Sequence, residues 1–162
     1  MSAEAVAKAI RLRLAAELAG ERATLRRLAT SIAELAATTE GTDVMRTLAL
    51  AFQLERFYTA VESTLSRILR TIDGDVPAGA NSHTDILRAA SVEVEGLRPA
   101  VLTEEATTLL RELLGFRHYA RHGYDVAPQR DRIGELAKMA LKACDLVEPA
   151  LASFETTLRA PV

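Results

Sequence analysis

The chain has no tryptophan, one cysteine, five prolines and eight glycines in 162 residues. Each scarcity excludes something. A lone cysteine, Cys144, forms no internal disulfide, which rules out a stapled secreted scaffold and fits a reducing compartment. So few glycines and prolines rule out collagen-like and low-complexity chains. Aromatics make up 4% and β-branched residues are sparse, which disfavours sheets. No apolar run approaches the ~18–20 residues that a membrane span needs. The start, MSAEAVAKAIRLRLAAE, intersperses charge with alanine and lacks the apolar core of a signal peptide. A cytoplasmic location is expected. With 20 basic and 22 acidic residues the net charge is −2, so affinity for nucleic acid is not spread over the whole surface. Glycine-rich phosphate loops, Gly-x-Ser-x-Gly elbows and Glu-x-x-His pairs are all missing, which sets aside several enzyme classes and a ferritin-like di-iron site.

Alanine (29) and leucine (23) dominate what remains, and both lose little freedom in a helix. Apolar residues recur at steps of three and four through Leu14, Leu18, Leu25, Leu28, Ile32 and Leu35, with Glu21 interrupting and Gly20 a candidate kink. Gly41 ends that first segment, and Thr42 is placed to cap the next. Ala51, Leu54, Tyr58, Val61, Leu65, Ile68 and Ile72 then predict one helix over Val44–Ile72. Ser82 and Asp85 resemble a capping box that opens a short helix, closed by Gly96 and Pro99. Thr103 caps a fourth helix, with Gly123 as its C-cap, and a fifth runs from beyond Pro128 through Leu158, bent or broken at Pro149. The expectation is a single all-α domain over residues 1–162, an antiparallel up-and-down four-helix bundle with one additional short helix.

Positive charge gathers in one window. Arg111, Arg117, Arg121, Arg130 and Arg132 lie there with His118 and His122, around the run Phe116-Arg117-His118-Tyr119-Ala120-Arg121-His122-Gly123-Tyr124. Three readings compete. The first is a solvated helix end whose cations complement the dipole. The second is a metal site on His118 and His122, which share a face at zinc-helix spacing, although flanking arginines disfavour a divalent ion. The third is metal-free chemistry on a phosphodiester: arginine offers a planar fork to phosphate, and histidine exchanges protons near neutral pH. Residues five apart lie about 140° around a helix, so Arg117 and His122 do not share a face. A two-fold dimer would bring the missing half, which points to a homodimer. Cys144 lies on an apolar stripe and reads as a packed small hydrophobe, and His83 reads as a surface histidine.

Arg117, four residues, His122, one residue and Tyr124 resemble the R-x4-H-x-Y signature of HepT-type toxins of the HEPN ribonuclease superfamily. The resemblance is strongest over about residues 97–135. It implies a helical bundle that works as a homodimeric, metal-independent endoribonuclease with no cofactor. It further implies Arg117 and His122 as catalytic residues assisted by His118. Arg121, which shares a helix face with Arg117, is expected to contact the RNA substrate. A MntA-like minimal nucleotidyltransferase antitoxin would be the partner, transferring AMP to Tyr124. The alternative within the same family is a catalytically inactive bundle that serves as a binding module for the nucleotidyltransferase.

Overall fold

The computed structural model describes residues 2–38, 44–122 and 129–160, with side chains for all of these except 118–122. Five α-helices follow in order: α1 (Ala3–Ala37), α2 (Val44–Ile68), α3 (Ser82–Ala90), α4 (Glu104–His122) and α5 (Arg130–Arg159). Among the described residues there is no strand beyond an isolated bridge between Val94 and Arg98. The all-α bundle is therefore present. Its four long helices form a ring in which α1 packs on α2, α2 on α4, α4 on α5 and α5 on α1. Side-chain pairs give the directions. Arg22 reaches Glu148 and Glu155 while Arg11 bonds the Thr157 carbonyl, so α1 and α5 run antiparallel. Arg67 meets Glu17, whereas Arg46 bonds the Thr38 carbonyl, so α1 and α2 do too. Glu105–Lys142 and Glu112–Arg132 show the same for α4 and α5.

The core is built from the predicted stripes. Leu14, Leu18, Leu25 and Ile32 of α1 are buried against Leu136, Ala140, Val147 and Leu151 of α5, and Leu54, Phe57, Tyr58, Val61 and Leu65 complete it from α2. Burying a large side chain of this kind contributes about 1.5–3 kcal/mol, so the pairing of complete stripes, rather than helix propensity, holds the bundle. Small residues let α5 approach closely: Ala137, Ala140 and Ala143 are buried in succession. Cys144 is buried beside them, its Sγ 3.9 Å from the Leu25 carbonyl. Burial, reinforced by Asp145 and Glu148, pushes its thiol up to about 11. It packs as a hydrophobe.

Several local expectations are corrected. Gly20 does not break α1, and Glu21, which interrupts the stripe, instead takes an ion pair with Arg67 at 3.4 Å. α2 does not stay α-helical to Ile72: it ends at Ile68 and continues as one π-helical turn, Leu69–Asp73, closed by Gly74 in the left-handed region at φ 81°. There Asp73 grips the buried Arg98 at 2.6 and 2.8 Å, and Arg98 also donates to the carbonyls of Ala89, Val92 and Pro99. That staple fixes the chain after α3, which stops at Ala90 rather than near Gly96. The Ala90 carbonyl is taken by the backbone N–H groups of Val101 and Leu102. The capping box is not formed. Ser82 is the first helical residue, Asn81 before it makes no side-chain cap bond, and Asp85 turns to Arg88 at 2.9 Å. Thr103 does cap α4, accepting from the Ala106 N–H at 3.1 Å. α5 runs through Pro149 without a break. The expected signals at Gly41, Thr42 and Gly123 lie outside the described residues.

Candidate functional site

α3 is short, and it packs on both α2 and α4. Its second residue, His83, thereby comes between side chains of two long helices. On α2, Tyr58 and Glu62 stand one turn apart on the same face. On α4, Arg117 continues the buried column of Leu110, Leu113 and Leu114 and is only 7% exposed. These four residues form one cluster. His83 Nδ1 lies 2.7 Å from Glu62 Oε2, and Arg117 Nη1 lies 3.3 Å from His83 Nε2 and 3.4 Å from Nδ1. The Arg117 guanidinium carbon sits 5.7 Å above the centre of the Tyr58 ring.

A carboxylate only accepts, so Nδ1–H is the donor to Glu62. Arg117 Nη1, almost equidistant from the two ring nitrogens, lies against the imidazole ring. Arg117 is a cation kept from water whose direct contacts among the described residues are an imidazole and the face of a ring. A cation over an aromatic face gains about 0.5–2 kcal/mol, well short of the several kcal/mol that desolvating an ion costs. Its Nε has no hydrogen-bond partner among the described residues, and neither has Tyr58 Oη. Burial, followed by the charge of Glu62, pushes the Tyr58 phenol far above its ordinary range, so it stays protonated. A buried guanidinium compensated only in part by its described neighbours favours an anion that reaches it. The accessible member of the group is His83, whose side chain is 30% exposed.

Of the residues singled out by the sequence, the structure places Arg117 in this cluster. His118, Arg121 and His122 are carried by the last turns of α4, a continuous helix to His122, and their side chains lie outside those described. Tyr124 lies outside the described residues altogether. His83 is not the plain surface histidine that its neighbourhood suggests, because its ring is held by Glu62 and Arg117. Sequence reasoning also passes over Glu62 and Tyr58. The one available signal is their spacing of four on α2, an acid one turn beyond the only tyrosine of an otherwise aliphatic stripe. No helix among the described residues is long and apolar enough to cross a membrane.

No curated protein and no solved structure matches the chain. A family model described as HepT-like protein matches residues 49–158, a span that runs from early α2 through almost all of α5 and takes in the whole cluster around Arg117. With the helical bundle and the match agreeing, the chain belongs to the HepT-like family, within the HEPN superfamily.

Proposed function

We propose that this protein is a metal-independent endoribonuclease, the toxin of a toxin–antitoxin pair whose antitoxin is a MntA-like minimal nucleotidyltransferase. Membership of the HepT-like family supports a HEPN-type toxin. The observation that carries the reading is Arg117, a buried guanidinium with no direct carboxylate partner among the described residues, on the same helix as His118 and His122. RNA brings its own nucleophile in the 2′-hydroxyl, so the protein need only move protons and steady charge. His122 acts as general acid or base, Arg117 holds the scissile phosphate, His118 assists and Arg121 contacts the RNA. Two copies of the chain face each other across one cleft, since a single helix presents Arg117 and His122 about 140° apart. AMP transferred to Tyr124 sets a phosphate beside Arg117 and His122, where the RNA phosphate would go, and switches the toxin off.

One observation favours a second reading: with 7% exposure, Arg117 is also suited to hold the bundle of a catalytically inactive module that binds the nucleotidyltransferase. Induced expression in bacteria separates the two. The ribonuclease reading expects growth arrest that disappears in His122→Ala. It also expects rescue by the co-expressed nucleotidyltransferase, with rescue lost in Tyr124→Phe. Unimpaired growth with abundant folded, unmodified protein favours the binding module.

A further inference from the structure

We infer that His83, held in place by Glu62, is the general base of the RNA-cleaving site, leaving His122 as the acid; this rests on the ribonuclease reading above. The Glu62 carboxylate accepts from Nδ1–H at 2.7 Å, which fixes both the orientation of the ring and the tautomer. Nε2 is then the ring nitrogen that can take a proton, and it lies 3.3 Å from Arg117 Nη1. A phosphate drawn to Arg117 therefore arrives beside the imidazole of His83. His83 is also the exposed member of the group, at 30%, whereas Glu62 at 14% stands behind it.

Geometry along α4 favours the same division of labour. His122 lies five residues beyond Arg117, about 7.5 Å along the helix, so one end of the phosphate cannot easily be served by both proton-transfer groups from that helix. His83 reaches Arg117 from a different element of the same chain. Glu62 from α2 and Arg117 from α4 contact it, with the Tyr58 ring under Arg117, while Asp85 on its own helix is engaged with Arg88.

In that step Nε2 takes the proton of the 2′-hydroxyl as the 2′-oxygen bonds to phosphorus. The bond from phosphorus to the 5′-oxygen breaks, and protonated His122 supplies the proton that this oxygen needs. The products are a 2′,3′-cyclic phosphate and a 5′-hydroxyl, with one proton gained by His83 and one given up by His122. Glu62 is a positioning residue, since it acts through His83.

The test compares wild type, His83→Asn, His122→Ala and Glu62→Gln on an RNA dinucleotide and on its 5′-bridging phosphorothiolate, with EDTA present. Sulfur leaves without a proton, so it rescues a missing acid but not a missing base. His83→Asn retains an N–H donor toward Glu62 and should lose about 10²-fold or more on both substrates. His122→Ala should lose as much on the oxygen substrate and recover on the sulfur one. Glu62→Gln should cleave about 10-fold more slowly, with the acidic limb of its pH–rate profile moved to lower pH, a change that a merely structural role would not produce. Wild-type rates in His83→Asn, or its rescue by sulfur, would overturn the assignment. Should His83→Asn unfold, an unmoved acidic limb in Glu62→Gln overturns it instead. Wild type inactive on both substrates defeats the ribonuclease reading itself, and this assignment with it.

Discussion

Arg117 holds a full positive charge where water hardly reaches, and its neighbours only partly compensate it. Replacing an incompletely paired buried ion with an apolar residue of similar length commonly stabilises a fold. Arg117→Met is therefore expected to raise stability by about 1 kcal/mol, roughly 2–4 °C in Tm for a chain of this size, while abolishing cleavage. Thermal unfolding beside an activity assay checks both halves, and a lower Tm would mark Arg117 as structural. Cys144 makes the opposite case. Its thiol is pushed up to about 11 and is buried, so it should resist alkylation at neutral pH until the protein unfolds, as mass spectrometry after iodoacetamide would show.

At the scale of elements, α1 and α5 are joined by a charged clamp. Glu155 accepts from Arg22 at 3.0 Å and from Arg159 at 3.0 Å. Burial pushes its carboxyl up, but the hydrogen bonds and charges of Arg159 and Arg22 outweigh that and hold it below the ordinary value of 4.5. A folded value below the unfolded one means that the stabilisation is complete above the unfolded value and is lost as pH falls through the folded one. Between about pH 5 and pH 3 the wild type should thus lose more stability than Glu155→Gln, which urea titrations would register. Pro149 in the interior of α5 removes one backbone donor, a defect worth up to ~3 kcal/mol in a helix. Pro149→Ala should stabilise the protein.

Helices such as these were legible because their evidence is local. The stripe from Leu54 to Ile68 and the cap at Thr103 appear in the sequence as they do in the bundle. The end of α2 was not: its π-helical turn closes at Asp73, whose partner Arg98 lies 25 residues away. The site divides in the same manner. Arg117 stands out through the spacing of its motif, whereas His83, read as a surface histidine, and Glu62 are 21 residues apart. Only the packing of α3 across α2 and α4 makes them a pair.

For the whole molecule, the unfinished part is a surface. Val44, Leu48 and Phe52 are 62, 44 and 59% exposed along α2, on the helix that further on carries Tyr58 and Glu62. A second copy of the chain seated there would bring two Arg117 clusters toward one cleft, which a site split between faces of α4 requires. The protein should sediment as a dimer. Leu48→Glu with Phe52→Glu should give a folded monomer that cleaves RNA at least about 10-fold more slowly. A monomeric wild type with full activity would contradict this.

The most direct measurement is RNA cleavage by purified protein in EDTA, comparing wild type with Arg117→Met and His122→Ala and determining the ends of the products. The account predicts a 2′,3′-cyclic phosphate and a 5′-hydroxyl from wild type, with neither variant producing them. Intact RNA after incubation with folded wild type whose mass shows Tyr124 unmodified, or cleavage that persists in both variants, would contradict it.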